Sequence, residues 1–94
     1  MGKIKILHCF GWAIESIKAG KKVARSGWNG KDMYIFLVQG SKFKVNRPPL
    51  NEMFAEGTEI TYRPHMDIKT ADGSIATWSP SGSDALAEDW EIVE

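Results

Sequence analysis

Apolar residues near the start of the chain recur at the spacing of an α-helix. Four of them occupy positions i, i+3, i+4 and i+7, which form one stripe on a helix surface: Phe10, Ala13, Ile14 and Ile17. Gly20 follows the stripe and is typical of a helix stop. The pattern predicts a helix of about three turns between Cys9 and Ala19. Trp12 lies off the stripe, on the face expected to meet water, and therefore indicates a second contact surface.

A second apolar segment, residues 33–38, has the length of a strand but does not alternate with polar residues. A strand in a sheet with one wet face should alternate, so both faces of this strand need cover. One short helix covers one face. The other face is covered either by another segment of the chain or by a second subunit, and the small helical content favours the second subunit.

Alternation or apolar content predicts four further strands, at residues 22–25, 43–45, 58–69 and 90–93. Pro64 places the third of these at a sheet edge or at a bulge. The whole pattern predicts a single α+β domain over residues 1–94, with residues 1–8 as an N-terminal extension and 9–94 as the domain proper. In this domain one N-terminal helix packs on an antiparallel sheet of about five strands, and the protein is homo-oligomeric.

Turn residues near position 72 predict a hairpin with Asp72-Gly73 as a two-residue loop. In that register Asp67 pairs with Trp78, which then stands on the polar face beside Arg63 and His65. Further on, Ser83 or Asp84 is expected to cap a short helical turn that ends at Leu86.

Charge is balanced overall but divided unevenly along the chain. The 94 residues carry 12 basic and 12 acidic side chains, and this balance argues against non-specific binding to DNA or RNA duplexes. Residues 1–47 nevertheless carry a net charge of +8 (10 basic, 2 acidic) and residues 48–94 a net charge of −8 (2 basic, 10 acidic). Either the two halves pack together and neutralise each other, or the basic half holds a pocket for a small anion.

The location is expected to be cytoplasmic. The single cysteine, Cys9, excludes an intramolecular disulfide and a cysteine-based zinc site. No apolar run approaches the roughly 18 residues that span a bilayer, and no secretory signal precedes the first helix. We expect no membrane association, no metal and no cofactor.

Few residues indicate catalysis. His8 and Cys9 adjoin near a helix start, but neighbours in sequence do not form a nucleophile and its base. His65 and Asp67 share one face of a strand, either as a general base with its orienting carboxylate or as an exposed polar pair.

Aromatic and basic residues are more informative. Trp12 and Trp28 lie outside the core stripes and Trp78 is expected on a polar face, and exposed tryptophans beside arginine and asparagine are typical of a nucleobase pocket. Candidates for phosphate contacts are Lys22, Arg25 and Arg47. The alternative is that such tryptophans fill a subunit interface.

Several ordered segments resemble one known family. They are Ala-Gly-Lys-Lys-Val-Ala-Arg (19–25), Gly-Trp-Asn-Gly (27–30), Met-Tyr-Ile-Phe-Leu-Val (33–38), Val-Asn-Arg-Pro-Pro-Leu (45–50), Glu-Gly-Thr-Glu-Ile-Thr-Tyr-Arg-Pro-His (56–65), Thr-Ala-Asp-Gly (70–73) and Leu-Ala-Glu-Asp-Trp-Glu (86–91). The set resembles the second type of phage Thoeris anti-defence protein, from about Phe10 to the C-terminus. Each segment alone is weak, whereas the ordered set is specific.

The resemblance implies a non-enzymatic sponge. Members of this family bind glycocyclic ADP-ribose, the cyclic nucleotide signal made by the TIR protein of the defence system, and hold it intact. They assemble as homotetramers with ligand pockets shared between subunits, and some also bind cyclic di- or trinucleotides at separate sites. For a phage-encoded member, the location is the cytoplasm of the host cell.

By residue type and position, eight residues are assigned to the ligand, in roles of stacking, hydrogen bonding and phosphate binding: Arg25, Trp28, Asn29, Arg63, His65, Trp78, Ser81 and Asp84. Two other functions remain open. One is a structural or protein-binding module in which the tryptophans serve assembly only. The other is a small nucleotide hydrolase that uses His65 and Asp67.

Overall fold

The computed structural model describes residues 8–94, and the elements below belong to this part of the chain. They are, in order, α1 (Phe10–Lys18), β1 (Lys22–Arg25), β2 (Tyr34–Val38), β3 (Ser41–Lys44), β4 (Glu59–Tyr62), β5 (His65–Lys69), β6 (Ile75–Thr77), α2 (Gly82–Leu86) and β7 (Trp90–Val93). Five strands form an antiparallel sheet in the order β6-β5-β2-β1-β7, while β3 and β4 form a separate two-stranded ribbon. The predicted α+β class, with a helix and a five-stranded antiparallel sheet, is confirmed. The N-terminal extension falls largely outside the described residues.

The helix α1 ends as the sequence predicts. Gly20 has a φ of 89°, which the missing side chain of glycine permits. Its N–H donates to the carbonyl of Ile17 (2.9 Å), and the N–H of Lys21 donates to the carbonyl of Ser16 (3.0 Å). This pair of hydrogen bonds is a Schellman motif, and it satisfies carbonyls that the helix end would otherwise leave free.

The core lies between α1 and one face of the five-stranded sheet. Its fully buried members come from α1 and from β1, β2, β5 and β7: Ala13, Ile17, Val23, Ile35, Ile68 and Trp90. Each large apolar side chain that leaves water here contributes roughly 1.5–3 kcal/mol to folding. The predicted apolar stripe of the helix therefore faces the sheet.

Trp12 does not face water as the helical pattern predicts. Its ring stacks on His8, with ring centroids 3.7 Å apart, and it packs against the core. The chain before α1 lies beside β7, because the carbonyl of His8 accepts a hydrogen bond from the N–H of Trp90 (3.2 Å). The expectation was wrong because helical periodicity alone contains no information about the segment that precedes the helix.

The predicted strand at residues 58–69 is two strands in two different sheets. Pro64 separates β4, which pairs with β3, from β5, which lies inside the five-stranded sheet between β2 and β6. Proline has no N–H to donate to a ladder, so the pairing stops there and the chain changes direction.

The ribbon forms an extension that we call the arm, defined as β3, β4 and residues 45–58 between them. Val45 and Phe43 form the apolar centre of the arm, and Phe43 packs on Tyr62 with centroids 5.3 Å apart. Among the described elements, β3 and β4 pack on each other rather than on α1 or the main sheet. The molecule accordingly measures 65 × 26 × 25 Å, with a radius of gyration of 17.2 Å, whereas a compact chain of this length has about 12 Å.

The face of the main sheet opposite α1, which we call the open face, is not covered by any described element. Its centre consists of Tyr34 and Phe36 on β2, with Ile75 on β6 half exposed beside them. Lys22 and Lys69 lie over the ring of Tyr34, with Nζ at 4.8 and 5.8 Å from its centroid. The prediction that α1 covers only one face of β2 agrees with this arrangement.

The hairpin between β5 and β6 has a register one residue away from the predicted one. Thr70 pairs with Ser74, and the N–H of Gly73 donates to the carbonyl of Thr70 (3.0 Å), so the loop has three residues. Gly73 has a φ of 91°, as expected for this type of loop. Asp67 therefore pairs with Thr77 and not with Trp78.

A shift of one residue moves a strand's side chains to the other face of the sheet. Trp78 consequently packs on the core side, against Phe10, and not beside Arg63, His65 and Asp67 on the open side. The predicted position of Trp78 was wrong because the loop length was wrong.

The three-residue loop requires a positive φ at position 73, and this requirement can be tested by substitution of Gly73. We expect Gly73→Ala to lower the free energy of unfolding by about 1 kcal/mol, because an alanine in this left-handed conformation is strained although no atom lies within 4 Å of its Cβ. Urea unfolding measures the change. Gly82→Ala is the matched control, since position 82 is equally open and has no positive φ. Equal effects of the two substitutions would contradict the assigned loop.

Candidate functional site

Three indole rings and one phenyl ring meet at one end of the core. Trp28, Trp78 and Trp90 lie with ring centroids 5.5 to 6.5 Å apart, in edge-to-face arrangements. Phe10 packs on Trp90 (5.3 Å) and Trp78 (6.1 Å). We call these four residues the aromatic cluster. Such rings offer flat apolar surface together with indole N–H donors.

Each ring of the cluster is placed by a different element. Trp90 belongs to β7 and is 1% exposed, so it anchors the other rings. Trp78 follows β6 and continues the pairing with β5, because its N–H donates to the carbonyl of Met66 (3.0 Å). Trp28 stands in the loop after β1, where its N–H donates to the carbonyl of Arg25 (3.2 Å). Trp28 and Trp78 are only partly buried and form the accessible part of the cluster.

The short helix α2 lies beside the cluster and is fixed by a capping box. The hydroxyl of Ser81 accepts a hydrogen bond from the N–H of Asp84 (3.0 Å), and the carboxylate of Asp84 accepts one from the N–H of Ser81 (3.0 Å). The expected cap at Ser83 or Asp84 is therefore wrong by two or three residues. Asp84 also uses its backbone carbonyl, which accepts from the indole N–H of Trp90 (3.2 Å).

Arg25 joins α2 and β7 to the end of β1. Its Nη1 donates to Oδ1 of Asp84 (2.8 Å), and its Nε donates to Oδ1 of Asp89 (2.9 Å). The second oxygen of Asp89 accepts from the N–H of Gly27 (2.9 Å), and Oδ1 of Asp84 accepts from the indole of Trp28 at 3.5 Å. We call Arg25, Asp84 and Asp89 the arginine junction. Its basic member comes from the positively charged half of the chain and its acidic members from the negative half.

Hydrogen bonding controls the charges of the junction. The bonds to Asp89 and then Asp84 raise the pKa of Arg25. The bond from Arg25 lowers the pKa of Asp89 despite its partial burial. Burial raises the pKa of Asp84, but the hydrogen bonds from Ser81, Arg25 and Trp28 together outweigh it and leave the pKa below its ordinary value. All three groups are charged at neutral pH, with a net charge of −1.

A cavity of about 270 Å³ opens at the end of β1 beside the junction and the cluster. Its lining includes the side chains of Arg25, Trp28, Met33 and Glu91. Ligand pockets for compact organic molecules hold roughly 300–1,000 Å³, so this cavity is slightly small for such a ligand on its own. It borders the open face, because Glu91 and its pairing partner Ala24 belong to that face. A partner on the open face would enlarge and close it.

The structure brings together five of the eight residues assigned to a ligand from the sequence: Arg25, Trp28, Trp78, Ser81 and Asp84. Asn29 follows Trp28 in an exposed loop position. Arg63 and His65 lie elsewhere, at the base of the arm and at the start of β5. Arg63 lines a separate cavity of about 290 Å³ with Lys42 and Tyr62.

His65 and Asp67 form a pair on the open face. Nε2 of His65 lies 3.3 Å from Oδ1 of Asp67, and Nδ1 lies 3.2 Å from the carbonyl of Arg63. This oxygen of Asp67 is buried and accepts no hydrogen bond from the described residues, so the two side chains are neighbours without being hydrogen-bonded to each other. The pair is thus on the side of the sheet opposite the aromatic cluster, where the rings cannot present a ligand to it.

Asp89 and Trp90 belong to the candidate site and were not predicted as site residues from the sequence. Trp90 lies in the predicted strand at residues 90–93, and in the structure it is buried and also forms the inner wall of the cluster. Asp89 directly precedes it and was not singled out, because one acidic residue among ten in the second half of the chain has no distinguishing pattern. Only the pairing of Arg25 with Trp90 across β1 and β7 brings Asp89 to the guanidinium.

Within residues 8–94, no group of three or more His, Cys, Asp or Glu side chains is arranged to hold a metal ion. No helix in the same part of the chain is long and apolar enough to cross a bilayer. A further cavity of about 340 Å³ lies on the arm, lined by residues that include Lys44, Arg47 and Tyr62.

The fold and the site define a small α+β domain with an aromatic, hydrogen-bonding surface beside a cavity. Comparison with known proteins places the domain in a family. The sequence profile of the Thoeris anti-defense 2-like domain, abbreviated Tad2-like, matches residues 8–93. A protein of Bacillus phage SP01 named Thoeris anti-defense 2 is 44% identical over 91 residues, which cover 96% of this chain and 99% of the phage protein. The chain belongs to the Thoeris anti-defense 2-like family.

The arginine junction predicts a strong effect of Arg25 on stability. We expect Arg25→Ala to lower the free energy of unfolding by about 2–3 kcal/mol, because it leaves two partly buried carboxylates without their cation. Urea unfolding followed by near-ultraviolet circular dichroism measures the loss. Lys18→Ala is the control and should change stability by less than about 0.5 kcal/mol, since its pair with Glu15 is exposed.

The junction also predicts a pH dependence. Asp84 and Asp89 have lowered pKa values in the folded protein, so their stabilisation is present above the unfolded-state pKa of about 4. It is lost as the pH falls below that value and through the folded-state pKa values. Urea unfolding over this range should show a steeper acid loss for the natural protein than for Asp84→Asn/Asp89→Asn. Parallel curves would contradict the assignment.

Proposed function

We propose that this protein counters Thoeris defence by sequestering the cyclic nucleotide signal made by the TIR protein, a glycocyclic ADP-ribose. The signal is held without chemical change, so the downstream effector is not activated. Family membership supports the anti-Thoeris role. The position of the aromatic cluster beside the arginine junction is the observation that supports a nucleotide as the ligand. The chemistry of this site suits an adenine ring, ribose hydroxyls and a diphosphate.

Stacking is the first contribution. Trp28 and Trp78 stand partly exposed and nearly perpendicular to each other (63°), so a ring on one indole face meets the edge of the other. Stacking of a base on an aromatic side chain contributes roughly 1–3 kcal/mol and does not depend on base identity. Trp90 supports both indoles from behind and limits their movement.

Hydrogen bonding is the second contribution. Asp84 and Ser81 present acceptors suited to ribose hydroxyls, and Asn29 adds an amide beside Trp28. Arg25 has one unassigned terminal nitrogen after its bonds to Asp84 and Asp89, and that nitrogen can donate to a phosphate oxygen. The net charge of the junction is negative, so a diphosphate needs further cations.

In the proposal, a second subunit provides the further basic side chains that a diphosphate needs. In the proposal the protein is a homotetramer with pockets shared between subunits, and Arg63 and His65 join the pocket from a neighbouring copy. Their distance from the aromatic cluster within one chain and the small cavity at Arg25 both favour this arrangement. The same assembly would accommodate cyclic di- or trinucleotides at separate sites.

Binding rather than hydrolysis is favoured by the position of the only histidine and carboxylate pair considered for catalysis. His65 and Asp67 lie on the face opposite the cluster of their own chain. The position of the pair argues against hydrolysis within one chain. Because the proposed assembly brings His65 of a neighbouring copy to the pocket, recovery of unchanged ligand is the result that distinguishes binding from hydrolysis.

Calorimetric titration with glycocyclic ADP-ribose tests the proposal. We expect tight binding, and chromatography after heat denaturation should return the ligand unchanged. Trp28→Ala or Trp78→Ala should weaken binding by about tenfold to a hundredfold, through loss of stacking. Glu15→Ala, which truncates an exposed side chain on α1, is the control. A converted product would indicate a hydrolase, and an assembled protein without affinity would indicate an interaction module.

A further inference from the structure

Two surfaces of the chain are incomplete, and they are complementary to each other. The arm exposes Met53 and Phe54 at its tip, 64% and 44% accessible. The open face exposes Tyr34, Phe36 and Ile75 around a cavity of about 290 Å³. We propose that the arm tip of one copy docks on the open face of a second copy, with Phe54 seated in that cavity.

Docking on a second copy would stabilise the arm. A two-stranded hairpin on its own is marginally stable in water. Val45 and Phe43 give the arm a small apolar centre, and among the described elements β3 and β4 pack mainly on each other rather than on the five-stranded sheet. An extension of this kind that also exposes a methionine and a phenylalanine at its end has the properties of a docking element.

Charge determines which surface receives the tip. The arm as a whole has no net charge, since Lys42, Lys44 and Arg47 balance its three glutamates, but Glu52 and Glu56 flank the exposed Met53 and Phe54 at the tip. The cavity on the open face is flanked by Lys22 and Lys69, which lie over the ring of Tyr34. An acidic, apolar tip therefore meets a basic, aromatic socket, and the like charges on each surface disfavour tip-to-tip or socket-to-socket contacts.

Two-fold symmetry would double the contact. In an isologous pair, each copy inserts its own arm and receives the arm of its partner, so every dimer contains the contact twice. The 65 Å length of the molecule gives the arm the reach to leave its own sheet. The inference rests on the assembly proposed above, and it identifies the surfaces through which one interface of that assembly forms.

Light scattering on Phe54→Asp tests the apolar part. We expect self-association to weaken by about thirtyfold, as for the loss of a central aromatic anchor. Leu86→Asp is the matched control, because Leu86 is 84% exposed but lies on α2, away from both surfaces. Unchanged near-ultraviolet circular dichroism of the tryptophans would establish that the main domain remains folded. A monomeric natural protein, or an oligomer insensitive to Phe54→Asp, would overturn the proposal.

A charge exchange tests the pairing itself. Lys22→Glu alone and Glu52→Lys/Glu56→Lys alone should each weaken association by about fivefold or more, because each places like charges together. The combined variant should recover most of the loss, since opposite charges face each other again. Absence of recovery in the combined variant would show that these groups do not meet.

A cross-link fixes the geometry independently of affinity. In a Cys9→Ser background that keeps Phe54, Met53→Cys with Ile75→Cys should form disulfide-linked pairs of chains under mild oxidation, whereas Leu86→Cys with Ile75→Cys should not. Failure of the first pair to link would count against the contact. None of these measurements uses a nucleotide, so a failure here would leave glycocyclic ADP-ribose binding to be judged by its own titration.

Discussion

The bond between Arg25 and the two aspartates is the constraint on which the site depends. The guanidinium ties the end of β1 to α2 through Asp84 and to β7 through Asp89, at 2.8 and 2.9 Å. Asp84 also caps α2 with its carboxylate, which accepts from the indole of Trp28, while its backbone carbonyl accepts from the indole of Trp90. One residue therefore links the position of the helix to the arrangement of the rings. Loss of the arginine would therefore disturb the aromatic surface without removing any ring from it.

The division of charge along the sequence has two structural outcomes. At the junction, the basic and acidic halves meet within one chain and neutralise each other, as one reading of the sequence suggested. Elsewhere they remain apart, because the acidic arm tip and the lysines of the open face do not meet within one subunit. A net charge of zero for the whole chain is thus compatible with local surfaces of opposite sign.

The sequence predicted those elements that local chemistry determines. The helix stripe, the Gly20 stop and the strands at 22–25 and 90–93 follow from periodicity and from glycine conformation, and they occur where expected. The hairpin register did not follow, because two- and three-residue loops share the same turn residues and differ only in pairing. The difference of one residue in loop length determines the face of the sheet on which Trp78 lies. Asp89 likewise acquires its role only through strand pairing, which distant residues establish.

The aromatic cluster also determines how the protein absorbs and emits light. Three of the four tryptophans lie within 6.5 Å of one another, so their excited states are coupled and the emission comes from the group rather than from separate rings. Trp12 stands outside the group, stacked on His8. A molecule that inserts between Trp28 and Trp78 would alter this coupling directly. Binding at the proposed site would therefore change the intrinsic fluorescence of the protein, without any added label.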